Sequence, residues 1–551
     1  MAKRKNAAAL VILALLPSLA RAAEVHWSID GSPYSFAATV TIPKGDNLRV
    51  DPGVTARFAT GVRLDIQGQI SAVGTPESPI IFERSGTSGS WSGIRIHHSD
   101  PEPRSSEIRH AVIRQASTLV DVDATGTSEI IVEDCALDSW SNVAIHWDNG
   151  ANNLRITGCL VGMNTPAAER NHEAVNGYRS SAILEHSVFG PRTGYTDTID
   201  LANAKWGGPV PTVRFNTIHP GQDDGIDFDN SDGYIIGNLI FGRRPPPNGP
   251  KEADCPEYPV GGSGANGGGI TGNEGSRPFV MNNIVYNCYH GIGYKNGARP
   301  TLINNTVVGC EWGIILFREG DISTPAFANG TIVNNLMWNC RVPIKLSWCD
   351  DDPKSTATVT SSIVPGGWPG TGNLDPAEPP IGLPADPANP RREDFAPLPC
   401  STAVDAGFSG TVSQSFHSEN VPDTDAVGTS RIDFASVPDR GSGPIPFTDI
   451  GAMEATGPDD CEAPPPRFAR GEANGDGLLD ISDGISVLLH LFAGAATDCE
   501  DALDADDDGA LTITDPIRLL DLLFLAGPPL PAPFPGEGVD TTVDSLGCSR
   551  T

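Results

Sequence analysis

Short stretches of alternating apolar and polar residues recur between about residues 60 and 350. Aligned on their first residue, ten of them read Ile94-Arg95-Ile96-His97, Val120-Asp121-Val122-Asp123, Ile145-His146-Trp147-Asp148, Val175-Asn176-Gly177-Tyr178, Ile199-Asp200-Leu201-Ala202, Ile226-Asp227-Phe228-Asp229, Ile270-Thr271-Gly272-Asn273, Ile292-Gly293-Tyr294-Lys295, Ile314-Ile315-Leu316-Phe317 and Ile344-Lys345-Leu346-Ser347. The step between first residues is 22–30, with one step of 44 across an insertion at 243–276. Period-two alternation over four residues predicts a short strand, with the first and third side chains inward and the second and fourth outward. Short strands at this period, with Asn and Gly at the turns, predict a parallel solenoid; a propeller blade needs about 40 residues. A column of Asn216, Asn238, Asn283, Asn305 and Asn335 recurs at one turn, where stacked amides can bond coil to coil.

Stacking at about 4.8 Å turns each outward place into a column. The second-place column runs Arg95, Asp121, His146, Asn176, Asp200, Asp227, Thr271, Gly293, Ile315, Lys345. The fourth runs His97, Asp123, Asp148, Tyr178, Ala202, Asp229, Asn273, Lys295, Phe317, Ser347. One face therefore carries most of the ionisable groups. Its densest part is Asp197, Asp200, Asp223, Asp224, Asp227 and Asp229. Carboxylates packed this closely repel unless a cation or protons intervene. Three readings follow: a calcium site, a catalytic acid/base pair on adjacent coils, or a solvated acidic face. His146 and His172 are the histidines nearest this face, and each reads as a surface imidazole.

The repeats resemble the right-handed parallel β-helix of pectate lyases and polygalacturonases, giving an all-β solenoid over 23–350. The opening (Leu48 to Val54, Leu64 to Gly68, Pro79 to Phe82) resembles the first coils of many secreted bacterial β-helix proteins. The segment 351–455, with Ala403-Val404-Asp405-Ala406-Gly407, Asp425 to Arg431 and Asp449-Ile450-Gly451-Ala452, resembles their C-terminal tail and is expected to pack on the last coils. The string Asp223-Asp224-Gly225-Ile226-Asp227, with an acid one coil earlier, looks like the calcium site of family 9 pectate lyases. That resemblance implies calcium held by Asp200 (or Asp197), Asp223, Asp224 and Asp227, Lys295 as the base, and β-elimination on a uronate-containing polysaccharide. The alternatives are a polygalacturonase-like glycoside hydrolase using Asp200, Asp224 or Asp227, or a non-catalytic glycan-binding or adhesion β-helix.

A different pattern follows a Pro-rich linker at 456–468. Two twelve-residue loops, 32 residues apart, carry oxygen side chains at positions 1, 3, 5, 9 and 12 and Gly at position 6. In the first these are Glu472, Asn474, Asp476, Asp480 and Asp483; in the second, Asp504, Asp506, Asp508, Thr512 and Asp515. Leu478 and Ala510 hold position 7, whose main-chain carbonyl completes a calcium loop. After each loop comes an apolar helical pattern, Ile485, Leu488, Leu489, Phe492 and then Ile517, Leu520, Leu523, Phe524. Pro464 to Pro466 exclude an entering helix, and position 12 is Asp rather than Glu, so neither loop is an ordinary EF-hand. Loop-helix, linker, loop-helix resembles a type I dockerin over 469–551: a small α-helical domain with two Ca²⁺ ions that docks onto a cohesin. The resemblance gives the partner contact to Ile481, Ser482, Ile513 and Thr514.

The net charge of −32 argues against nucleic acid and anionic membranes as partners. Lys3, Arg4 and Lys5, the apolar run Ala7 to Leu19, and Ala20-Arg21-Ala22 read as a Sec-type bacterial signal peptide over 1–22, too short for a membrane span. The expected location is secreted or cell-surface associated. Eleven Cys leave at least one unpaired. Cys288, Cys310 and Cys340 share one repeat place and read as a buried stack; Cys499 and Cys548 bracket the second loop and suit a disulfide. No Cys-x-x-Cys pair exists to suggest zinc.

Overall fold

The computed structural model describes residues 23–98, 104–124, 128–148, 153–245, 267–318, 327–348, 354–457, 467–542, 544 and 546–548. The segment read as a signal peptide, Pro464 to Pro466 and the middle of the insertion fall outside them. The chain divides into two compact units, Met1–Pro458 and Asp459–Thr551.

The first unit is a parallel solenoid. Each coil adds one strand to each of three ladders. One ladder is a 13-stranded sheet that opens with Glu24–Trp27 and ends with Thr356–Thr360. The second runs from Tyr34–Phe36 to Leu336–Trp338, and the third from Val40–Ile42 to Val342–Lys345. Two long strands, Ala111–Ala124 and Ala136–Trp147, pass through both of these ladders without a break.

The aligned columns are the registers of the third ladder. Arg95 pairs with Asp121, Asp121 with His146, His146 with Asn176, Asn176 with Asp200, and Asp200 with Asp227. The column continues through Thr271, Gly293 and Ile315 to Lys345. The first-place residues from Ile94 to Ile314 are fully buried, as an inward face requires.

The turn between the first two ladders is held by amides. Asn216, Asn238, Asn283, Asn305 and Asn335 are each 0% exposed. Asn216 Nδ2 donates to Asn238 Oδ1 at 3.0 Å, Asn238 to Asn283 at 2.9 Å, Asn283 to Asn305 at 3.0 Å, and Asn305 to Asn335 at 2.9 Å. From Asn238 to Asn335 each Oδ1 also accepts the backbone N–H of the preceding Asn, so none of these five amides is left unpaired. The residue before each ladder Asn (Phe215, Gly237, Asn282, Asn304, Asn334) has positive φ, a conformation Gly and Asn adopt most readily. In earlier coils Cys135, Cys159 and Ser187 occupy this place; the Ser187 hydroxyl accepts from the Cys159 N–H, and its own N–H donates to Asn216. Among the described residues the unpaired thiols form two groups, the buried Cys135 with Cys159, and the buried Cys288 and Cys310 with the half-buried Cys340.

The tail after residue 354 packs along the second ladder. Arg392 donates to the carbonyls of Gly237 and Asn216, Gly451 to Asn334, and Ala452 to the Thr306 hydroxyl. Ile381, Phe395, Ile450 and Met453 join Leu239, Ile284, Val308 and Leu336 in one apolar cluster. The tail thus covers the outer face of coils well before the last one.

The second unit contains helices α1 (Ile481–Ala493), α2 (Glu500–Leu503) and α3 (Thr514–Leu525). Asp480 caps α1 by accepting from Ser482 N–H at 2.7 Å, and Gly494 closes it in the left-handed conformation. A disulfide joins Cys499 and Cys548. Arg470, about 1% exposed, donates to the carbonyls of Asp504 and Ala532 and pairs with Asp507 and Asp540. The helical period is present, but the buried face is offset from the apolar pattern. The buried residues are Asp483, Gly484 and Val487 of α1 and Asp515, Pro516 and Leu519 of α3. Ile485, Leu489, Phe492, Ile517 and Phe524 face solvent.

Candidate cation site and active site

Strands Ile199–Ala202 and Ile226–Asp229 lie side by side in the third ladder, each preceded by a tight turn. The turns carry Asp197 and the pair Asp223-Asp224; the strands carry Asp200, Asp227 and Asp229 outward. One carboxylate oxygen from each of Asp197, Asp223 and Asp224 lies within 4.8 Å of the others. Asp223 and Asp224 are 8% and 5% exposed.

The surroundings fix Asp224 firmly. Its Oδ1 accepts the Gly268 N–H at 2.8 Å and its Oδ2 the Thr271 hydroxyl at 2.7 Å, both from the next coil. Its own N–H donates to Asp197 Oδ1 at 3.2 Å. Arg243, fully buried, donates to the main-chain carbonyls of Asp223 at 2.7 Å and Asp224 at 2.6 Å. A cation is thus locked under the turn. Gly268 has no room for a side chain, since a Cβ there would lie 2.5 Å from Asp224 Oδ1.

Burial raises the pKa of Asp197, Asp224 and Asp227; the neighbouring Asp charges push Asp197 and Asp227 well above the usual value, while the Thr271 hydroxyl and Lys295 oppose the rise at Asp224. Asp200 is pushed to about 7 by burial, then by Glu173 and Asp229, against a hydrogen bond from Asn176. Asp200 and Asp227 each keep one buried oxygen, Oδ1, with no hydrogen-bond partner.

Lys295 lies two strands beyond Asp227, reached through Thr271 and Gly293, and stands in the adjacent outward column next to Asn273. Its charge acts on both Asp224 and Asp227, lowering their pKa values. The coil between them, Gly268–Asn273, keeps the ladder register, so the insertion does not displace Lys295. Residues 246–266 of that insertion lie outside the described residues.

Three carboxylates with oxygens within 4.8 Å, and the unpartnered oxygens of Asp200 and Asp227 on the strands that follow, fit a hard cation. Calcium–oxygen distances of about 2.3–2.6 Å place opposite ligands roughly 5 Å apart. Arg243, Glu173 and Gly268 escaped the sequence reading, and Thr271, placed in the outward column, was given no part in the site. Arg243 follows a strand as any turn residue does, and the others act through coils whose order is known only once the register is fixed. His290 was missed as well. It sits on the Lys295 strand, 1% exposed, stacked on Trp312 at 4.8 Å, and burial pushes its pKa down to about 3. His146, by contrast, is held by Asp121 at 3.0 Å, and that bond raises its pKa.

The two loops of the second unit match bond for bond. Position 12 accepts from the N–H groups of positions 2 and 9: Ala473 and Asp480 to Asp483, Ala505 and Thr512 to Asp515. Position 1 accepts from positions 5 and 6: Asp476 and Gly477 to Glu472, Asp508 and Gly509 to Asp504. The N–H of Leu478 bonds Asp476 and that of Ala510 bonds Asp508. Asp504, Asp506 and Asp515 present oxygens within 4.8 Å of one another. In the first loop, Asn474 binds the Ser482 hydroxyl at 2.7 Å and Asp480 is engaged in capping α1.

Residues 198–361 match the family model for the right handed beta helix region. The first unit is a right-handed parallel β-helix. Similar solved structures include a pectate lyase, Pel9A, 14% identical over 75% of this chain and 89% of that chain with a TM-score of 0.38. Others are a family PL6 polysaccharide lyase from Pseudopedobacter saltans (12%, 60% and 84%, 0.28) and a rhamnogalacturonan lyase (13%, 58% and 80%, 0.30). No curated protein matches the chain. Among the described residues, no helix is long and apolar enough to cross a membrane.

Proposed function

We propose that the β-helix is a secreted, calcium-dependent polysaccharide lyase that cleaves a uronate-containing polymer by β-elimination. The carrying observation is the cluster of Asp197, Asp223 and Asp224, with the unpartnered oxygens of Asp200 and Asp227 alongside and Lys295 acting on the same group. Asp197, Asp200, Asp223, Asp224 and Asp227 would hold the ion, which when bound neutralises the uronate carboxylate and acidifies the proton next to it. Arg243 fixes the Asp223-Asp224 backbone, and Thr271 and Gly268 orient Asp224. Lys295, in its uncharged form, would take the C5 proton. The C5–H electrons form the C4–C5 double bond, the C4–oxygen bond breaks, and the leaving oxygen takes a proton from water.

A second reading is supported by the raised pKa of Asp200, about 7, beside Asp227 on the next coil. A protonated carboxyl next to an ionised one is the pairing a glycoside hydrolase uses. The two readings separate in one experiment. The chain is incubated with uronate and neutral polysaccharides, with and without Ca²⁺, following absorbance near ~235 nm, where an unsaturated uronate absorbs, and reducing ends. Calcium-dependent absorbance supports the lyase. Reducing ends alone replace it with the hydrolase, and retention of polymer without product supports a binding module.

The same reading gives the second unit two calcium ions and a cohesin-type partner. Ile481, Ile485, Leu489, Ile513, Ile517 and Phe524 are solvent-exposed apolar residues on or beside α1 and α3, where a partner would dock. Pull-down of the chain by a cohesin, lost in chelator, tests that part separately.

A further inference from the structure

The tail that packs along the second ladder holds four buried acids, and three of them are fully engaged. Asp425 accepts from the N–H groups of Val427, Thr429 and Glu454. Asp449 accepts from Asp405 and Ala455. Glu454 pairs with Arg431 at 2.5 Å, and both side chains are buried. Asp405 is the exception: it is 0% exposed, and neither carboxylate oxygen makes a hydrogen bond of ordinary geometry, although the Phe434 amide nearby favours its charged form. Burying an ionised carboxylate alone is strongly unfavourable.

Its carboxylate is aimed at two other acids. Oxygens of Asp405, Asp433 and Asp439 lie within 4.8 Å of one another. Asp433 and Asp439 flank a turn that wraps Asp405, closed by Val437 N–H on the Phe434 carbonyl. The far end of that turn is fastened to Asp405 itself, whose main-chain oxygen accepts from Arg440 and Gly441. Asp405 takes positive φ, and its N–H is tied to Asp449, so its direction is set by the backbone. Burial, with Asp433, Asp439 and Glu454 adding to it and the Phe434 amide opposing, pushes its pKa to about 7.

We propose that Asp405, Asp433 and Asp439 form a structural calcium site that fastens the 433–441 turn to the tail of the β-helix. The three carboxylates supply hard oxygen ligands, and the exposed side of Asp433 and Asp439 leaves room for water to complete a shell of six to eight. The arrangement resembles neither the repeating column of the solenoid nor a twelve-residue loop: its ligands come from two places, separated by a long connection, that only the packed tail brings together.

Calcium bound per chain is counted by equilibrium dialysis of the full-length protein. The Asp433→Asn/Asp439→Asn double variant, altered only at exposed positions, is expected to bind one calcium fewer than the wild type. Equal binding overturns the proposal. Trypsin locates the loss: calcium should slow cleavage after the exposed Arg440 in the wild type at least several-fold and leave the double variant unprotected. Equal protection in both again overturns it. Asp405→Asn gives a further check, melting at or above the wild type without calcium and gaining less when calcium is added. If that variant melts lower without calcium, Asp405 has a structural partner and the site is wrong.

Discussion

The backbone N–H of Asp224 donates to Asp197 Oδ1 across 3.2 Å, tying the two acidic turns of successive coils. That bond sets the spacing of a cluster whose own charges oppose it, since Asp224, Asp227, Asp223 and Asp200 all raise the Asp197 pKa. A cation that relieves the repulsion should therefore bind strongly and matter for function. Asp197→Asn and Asp223→Asn are expected to cut calcium-supported turnover by about 100-fold. In chelator both should melt no lower than the wild type, because each removes a repelling charge. Turnover assays over a calcium titration and thermal melts in chelator check the two halves. Lower melting in chelator would mean the carboxylates hold the coils together without an ion.

Lys295→Ala separates elimination from hydrolysis. Proton abstraction by a positioned base contributes about 10²–10⁴-fold. The variant should lose that much of the unsaturated product while keeping its calcium affinity within a few fold, since Lys295 repels rather than holds a cation. A hydrolase would keep its reducing-end rate. The control for folding is the Ile292–Ile314 register neighbourhood, where Tyr294 remains fully buried beside it; an unchanged melting temperature shows that it is intact.

Much of this geometry was legible because a solenoid turns sequence spacing into columns. Once Ile199, Ile226 and Ile270 are aligned, the outward stack of Asp200, Asp227 and Thr271 follows from side-chain alternation alone. The amide ladder from Asn216 to Asn335 was legible for the same reason. What the pattern could not give is anything held by a non-repeating segment. Arg243 acts through main-chain oxygens, which carry no sequence signal. Asp405 meets Asp433 and Asp439 only because the tail folds back. In the second unit the period showed two helices, but not which side they bury: Gly484, next to Leu520, lets α1 and α3 approach along a face with few apolar side chains, and the larger ones are left outside.

His290 predicts an acid-sensitive step. Its folded pKa, about 3, is depressed by burial and then by Lys295, below an unfolded value of about 6.5. The neutral ring therefore favours the folded state fully above pH ~6.5, and this stability is lost as pH falls toward ~3. The loss reaches at most about 1.4 kcal/mol per pH unit in that window. Tyr289, Trp312 and Trp348 pack around the ring, and Lys295 is the charged group that acts on it. His290→Gln cannot take up the proton, so from pH ~7 to ~5 the denaturant midpoint of the wild type should fall relative to that of the variant, the raised carboxyls Asp200 and Asp405 shifting both proteins alike. A parallel decline in both proteins would assign the acid sensitivity elsewhere.

The amide ladder predicts how much one turn residue is worth. Asn238 donates to the Val213 carbonyl at 2.9 Å and to Asn283 at 2.9 Å, and its Oδ1 accepts both the backbone N–H and the side chain of Asn216 at 3.0 Å. Asn238→Ala strands the Val213 carbonyl and the Asn216 N–H inside the wall, where water cannot replace the lost partner. Each orphaned group costs about 1–3 kcal/mol, so the variant should lose roughly 2–6 kcal/mol. Asn238→Ser should recover part of that, because the Ser187 and Ser362 hydroxyls already hold the same place in the column, accepting from the N–H groups of Cys159 and Asn335. Asn238→Asp keeps the acceptor but faces Asn283 Oδ1 with a second acceptor, so it should fall with Ala rather than with Ser. Denaturant unfolding of the three variants gives the order directly: Ser above Ala and Asp if hydrogen bonding decides it, the near-isosteric Asp above Ser and Ala if the side chain's volume does.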